Sequence, residues 1–166
     1  SHSSVYNICP HFRNLKDNQL MAIKENGGVV FVNFYPGYID STFEAKAASV
    51  KESFKSQLDS LAKLHDPDGD EYWYKESQIM NADLKKVVPD VDAVIDHIDY
   101  IAKLIGVDHV GIGADWDGVE ILPSGIEDIT KMHVITKKLL DRGYSERNVK
   151  KILGGNFKRV FKAVTG

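Results

Sequence analysis

The chain has 166 residues, 43% hydrophobic and 27% charged, with a formal net charge of −3. That length fits one domain and that balance a globular protein, and the lack of a basic field speaks against nucleic acid or an anionic membrane surface as partner. No apolar run approaches the ~18 residues of a membrane span, no signal-peptide pattern opens the sequence, so that any targeting segment would lie upstream of residue 1, and the lone cysteine, Cys9, has no partner for an internal disulfide.

Residues 1–3 read as the end of a strand. Residues 4–14 read as a loop, because Pro10 forbids regular pairing and Asn7 and Asn14 favour turns. A helix follows, with Asp17 as its N-cap, Leu20 and Ile23 on its apolar face and Gly27 just past its end. Val29 to Phe34 is almost continuously apolar between glycines and Pro36, the pattern of a strand buried on both faces in a parallel sheet. Ser41-Thr42-Phe43-Glu44 resembles a capping box. Phe43, Ala47, Val50, Phe54, Leu58 and Leu61 then recur at helical spacing, predicting one long amphipathic helix to about residue 64.

The stretch "HDPDGDEYWYKESQ" is a polar break. Its Asp66-x-Asp68-Gly69-Asp70 hints at a calcium loop, but the glycine comes too early and Ser77 stands where a glutamate is required, so it reads as a solvated turn. A helix over about 90–105 carries Val91, Val94, Ile95, Ile98, Ile101 and Ile105 on one face and stops at Gly106. A second buried strand lies within "HVGIGADWDG". Ile129, Met132, Ile135 and Leu139 mark a helix closed by Gly143, Ser145 caps a short one, and Phe157, Val160, Phe161 and Val164 form the apolar face of the last.

Two clear strands do not make an independently stable parallel sheet. The order strand, helix, strand, helix therefore points to an α/β fold of which this chain is part, with further strands upstream. In such folds functional groups gather at the carboxyl ends of the strands. Three clusters occupy those positions: His2 with Arg13; Asn33 with Tyr35 and Tyr38; and Asp115-Trp116-Asp117-Gly118. His97 and His109 read as structural, and no two histidines have the spacing of a self-contained zinc site. Of the two acids flanking Trp116, Asp115 and Asp117, at least one reads as a turn cap.

The motifs "SHSS", the "RN" that closes the cysteine loop, "ENGGVVFVNFYPGY", "DHIDYIAKLIGVDHVGIGADWDG", "GIEDI" and "KILGGNFKRVF", in that order, resemble the membrane (renal) dipeptidase family of zinc metallopeptidases. The resemblance runs from residue 1 to about 163 and weakens over about 40–90. It implies that residues 1–166 are the C-terminal part of a single (β/α)8, TIM-type metallohydrolase barrel, incomplete in this chain, whose N-terminal strands and most metal ligands are absent. It implies two Zn2+ in the complete enzyme, with His2 the ligand supplied here. Arg13 matches the arginine that grips the dipeptide's carboxylate, Asp115 the proton-transfer aspartate, and Tyr35 and Tyr38 positions lining the substrate pocket.

The expected activity is zinc-dependent hydrolysis of dipeptides, with the chain alone inactive. The expected partners are the dipeptide and the missing N-terminal portion of the barrel, as the same or a separate polypeptide, and relatives allow a homodimer. The rival readings are another barrel amidohydrolase acting on a small carboxylated amide, and a non-catalytic half-barrel.

Overall fold

The computed structural model describes residues 2–116 and 118–166. Asp117, one of the two candidate turn caps, falls outside them. Strand β1 (Val30–Asn33) and strand β2 (Val110–Gly113) pair in parallel, in register from Val30 opposite Val110 to Asn33 opposite Gly113. On the other side of β1, His2 forms a parallel bridge with Phe31, and the Ser3 N–H donates to the Phe31 carbonyl at 2.9 Å. The opening residues thus lie along the sheet, as a strand end should. Among the described residues the sheet is open, consistent with part of a barrel-like domain.

The loop that follows is pinned rather than slack. The Leu15 N–H donates to the Ser4 carbonyl and the Tyr6 N–H to that of Leu15, each at 2.9 Å. Asn14, 4% exposed, accepts from the Ser4 N–H and donates to the carbonyls of Cys9 and Tyr38. The buried Cys9 thiol donates to the Gly37 carbonyl at 3.4 Å. Helix α1 (Asp17–Glu25) starts one residue earlier than expected: Lys16 is the cap position, its N–H satisfied by Gln19 Oε1. Asp17 is instead the first helical residue, where its carboxylate accepts the Tyr100 hydroxyl. Gly27, at φ +72°, ends the helix in the left-handed region that a glycine enters without strain.

The crossover from β1 to β2 holds five helices among the described residues: α2 (Pro36–Ile39), α3 (Phe43–Ser53), α4 (Lys55–Ala62), α5 (Asp70–Leu84) and α6 (Val91–Ile105). The expected capping box does not form. Asp40 Oδ1 takes the Thr42 N–H and hydroxyl, and Glu44 turns to the Tyr35 hydroxyl. The single long helix is broken at Phe54 (φ −102°, ψ 7°) into α3 and α4. The break folds Leu58 back onto Phe43, Met80 and Leu84, a small core separate from the sheet. The supposed polar break is a turn only up to Gly69; α5 follows it.

Helix α6 is the central packing element. Asp90 Oδ1 caps it by accepting the Asp92 N–H at 2.9 Å, and Gly106, at φ +101°, stops it. Its Val94, Ile95, Ile98 and Ile101 are fully buried with Val32, Phe34 and Val110 of the sheet segments and Ile135 and Leu139 of α7 (Met132–Asp141). Full burial of each such side chain stabilises by about 1.5–3 kcal/mol. Ser145 caps α8 (Glu146–Lys150) through the Asn148 N–H. A wide turn at residues 151–155 leads to α9 (Asn156–Thr165), whose buried Asn156 donates to the carbonyls of Val107 and Val110 and so ties the helix to β2. The expected apolar face of α9 is not covered: Phe157 and Phe161 are more than half exposed, and Val164 more so.

Candidate functional site

Two of the residues singled out above meet at the carboxyl ends of the strands. His2 is carried by its bridge to Phe31, and Asp115 stands two residues beyond β2. His2 Nε2 lies 3.3 Å from Asp115 Oδ2, with about a third of each side chain exposed. Among the described residues Asp115 is the non-glycine residue with positive φ, at +59°. Such a conformation is costly for a side-chain-bearing residue and gathers at functional sites. The Gly118 N–H donates to the Asp115 carbonyl at 3.0 Å and closes the turn. Trp116 braces it from behind, its indole donating to the Ile126 carbonyl and its ring set edge-on to Phe34.

A pocket of about 450 Å³ opens beside the pair, lined by His2, Phe31, Gly113, Asp115, Ile152 and Phe157. Gly113 of β2 leaves it room. A Cβ at Gly113 would come within 2.8 Å of the His2 Cβ.

Arg13, Tyr38 and Tyr35 form a second grouping. The Arg13 guanidinium carbon stands 5.5 Å from the centre of the Tyr38 ring, a cation–π distance. Its backbone is fixed by the Ser3 hydroxyl donating to the Arg13 carbonyl and by the Arg13 N–H donating to His11 Nδ1. Tyr38 meets Tyr35 edge-on at 4.8 Å. Burial and then the neighbouring Glu44 carboxylate push the Tyr35 phenol up to about 12, so it stays a neutral hydroxyl at physiological pH. Both tyrosines line a cavity of about 560 Å³ that reaches Gly118.

That cavity also contains Glu44, Lys51, Trp73 and Glu120. Local spacing does not mark these as site residues: Glu44, Lys51 and Trp73 sit in the variable 40–90 region, where Glu44 reads as half of a capping box. Burial, then Glu76, holds the Glu120 carboxyl above its ordinary range. Asn33, 1% exposed, accepts the Tyr35 N–H at Oδ1 at 2.6 Å, while its buried Nδ2 meets no hydrogen-bond acceptor among the described residues. The histidines read as structural behave so. His97 accepts the Val5 N–H at Nδ1 and faces the Ile39 carbonyl with Nε2; His109 Nδ1 faces the Gly28 carbonyl.

Parallel strands joined by a helical crossover, with an imidazole and a carboxylate converging at their carboxyl ends, define an α/β protein with a candidate site at the strand ends. The chain belongs to the membrane dipeptidase family, peptidase family M19, whose model matches residues 1–166. It is 34% identical over 160 residues, 96% of its length, to dipeptidase aclJ of Aspergillus oryzae. It superimposes on the probable dipeptidase PvdM from Pseudomonas aeruginosa with a TM-score of 0.67 and 28% identity over 95% of its length. A second solved structure, a Rhodobacter sphaeroides metallo peptidase liganded with a phosphinate mimic of the dipeptide L-Ala-D-Ala, shares the fold at a TM-score of 0.63, with 23% identity over 94% of this chain. The chain spans 28% of the length of the curated relative and 42% and 33% of those two solved chains.

The family is generally zinc-dependent. The donors here fit such a metal in part. An imidazole nitrogen points into the pocket beside a carboxylate, but among the described residues no group of three or more His, Cys, Asp or Glu side chains could hold an ion.

Proposed function

We propose that this chain is the C-terminal part of a (β/α)8 dipeptidase, and that it contributes a metal-binding imidazole, a proton-transfer carboxylate and a carboxylate clamp to hydrolysis of a dipeptide's single amide bond. The observation that carries the reading is the 3.3 Å approach of His2 Nε2 to Asp115 Oδ2 at the carboxyl end of the sheet. His2 would be one ligand of a zinc pair whose other ligands lie outside these residues. Zinc at that point would polarise the scissile carbonyl and acidify a water.

Asp115, a third exposed beside that position, accepts the water's proton and returns it to the leaving amine nitrogen. Arg13 offers a planar fork for the substrate's terminal carboxylate, which a lysine could not engage in the same two-pronged way. Tyr38 stacks under the guanidinium and limits its swing. Clamping the terminal carboxylate sets the distance to the scissile bond and so excludes longer peptides. Tyr35, kept neutral by its surroundings, donates or accepts a hydrogen bond within the same cavity.

Arg13→Ala tests the clamp in the zinc-loaded enzyme. It is expected to lower kcat/KM for a free dipeptide by tenfold or more, mostly through KM, and to leave hydrolysis of the C-terminally amidated analogue nearly unchanged. Equal losses on both substrates would reject a carboxylate clamp and favour an amidohydrolase of other specificity.

A further inference from the structure

The Asp115 carboxylate lies against the Cα of Gly118. A Cβ built there would stand 2.7 Å from Asp115 Cγ and 3.0 Å from Oδ2, and closer still to Oδ1. On its other side the same carboxylate faces His2 Nε2 at 3.3 Å. The space it occupies is therefore bounded by an imidazole and by the bare face of a glycine. The turn enforces this closeness, since the Gly118 N–H reaches back to the Asp115 carbonyl.

We propose that Gly118 is a positioning residue for the proposed hydrolysis: its missing side chain leaves room for the Asp115 carboxylate to point at His2. The inference rests on the dipeptidase reading above and goes beyond it by assigning a role to a residue that acts through the Asp115 carboxylate. The nature of the clash sets the expected phenotype. The atoms a Cβ would meet are the end of a short side chain, which can rotate away, and not backbone. Alanine at 118 therefore disturbs the fold little and the carboxylate's aim a great deal. Gly113 is the contrast: there a Cβ would stand 3.0 Å from the Phe31 carbonyl oxygen and 2.7 Å from the Phe31 Cβ, which cannot step aside so easily.

The experiment is a double-mutant cycle in the zinc-loaded enzyme, using Gly118→Ala, Asp115→Asn and Asp115→Ala. Gly118→Ala is expected to lower kcat by tenfold or more at nearly constant KM and unchanged zinc content, because small misplacements of a reacting group are costly. In the Asp115→Asn background the same change should alter residual kcat by less than twofold. A similar loss in both backgrounds, or no loss in either, overturns the role of Gly118. If Asp115→Asn itself retains parental kcat, it is the assignment of proton transfer to Asp115 that fails, a separate result. Should Gly118→Ala fail to fold, the Asp115→Ala/Gly118→Ala double variant should recover folding, because its Cβ then meets no carboxylate; continued misfolding overturns the proposal. A crystal structure of Gly118→Ala gives an activity-free reading: the 3.3 Å separation should lengthen, and an unchanged separation overturns it.

Discussion

His97 lies at a junction of three segments: helix α6 carries it, its Nδ1 takes the Val5 N–H at 2.9 Å, and its Nε2–H donates to the Ile39 carbonyl. Burial pushes its pKa down to about 4. The unfolded chain therefore takes up a proton near 6.5 that the folded chain refuses until about 4. Stability tied to this group is complete above about 6.5 and is lost as pH falls through 4, up to about 3 kcal/mol in all. Urea denaturation across that window should show the slope, and His97→Leu should remove it while lowering stability at neutral pH by about 1–3 kcal/mol through two orphaned backbone groups. In the zinc-loaded enzyme proposed above, Gly113→Ala should weaken metal binding about tenfold or more by pressing on His2, a loss that metal titration would register. The meeting of His2 with Asp115 was legible because each sits in a short motif beside a strand. Glu44, Trp73 and Glu120 were not, because their meeting depends on how α3 and α5 fold over the strand ends, and no local spacing encodes that.

Helices were legible in proportion to the width of the apolar stripe they turn to the sheet. Helix α6 buries one side chain or another at every turn, so its period stands out. Helix α5 packs on α3 and α4 instead, and buries only Ser77, Met80 and Leu84 in fifteen residues, so its sequence passes for a polar linker. The break at Phe54 was hidden because the apolar spacing of three and four residues runs through it unbroken from Val50 to Leu61. Helices α6 and α7 are also joined by charge. Asp99, 9% exposed on α6, accepts Arg142 Nη1 and the Tyr144 hydroxyl, each at 2.8 Å. Removing the guanidinium leaves that carboxylate short of a partner. Because Arg142 is itself a third exposed, Arg142→Met is expected to cost about 1–2 kcal/mol in chemical denaturation, less than a fully buried pair would.

At the scale of the molecule, β2 has no strand beyond it among the described residues, and α9 leaves Phe157, Phe161 and Val164 in solvent. Apolar surface and an unpaired strand edge side by side favour association. The 166-residue chain in isolation should accordingly self-associate, and Phe157→Ser/Phe161→Ser should reduce that association in light scattering without loss of helix by circular dichroism. It should also hold zinc only weakly, as a single imidazole ligand would; tight stoichiometric binding in a titration would contradict the proposed shortage of ligands. The lone cysteine offers a way to watch the assembly breathe. Cys9 is 3% exposed, its thiol is hydrogen-bonded to Gly37, and burial followed by the charges of Asp40 and Glu44 raises its pKa, so in the closed state it is a poor nucleophile. A disulfide reagent can modify it only when the loop that carries Arg13 lifts off the sheet, so the rate of thiol labelling becomes a clock for how often that loop opens.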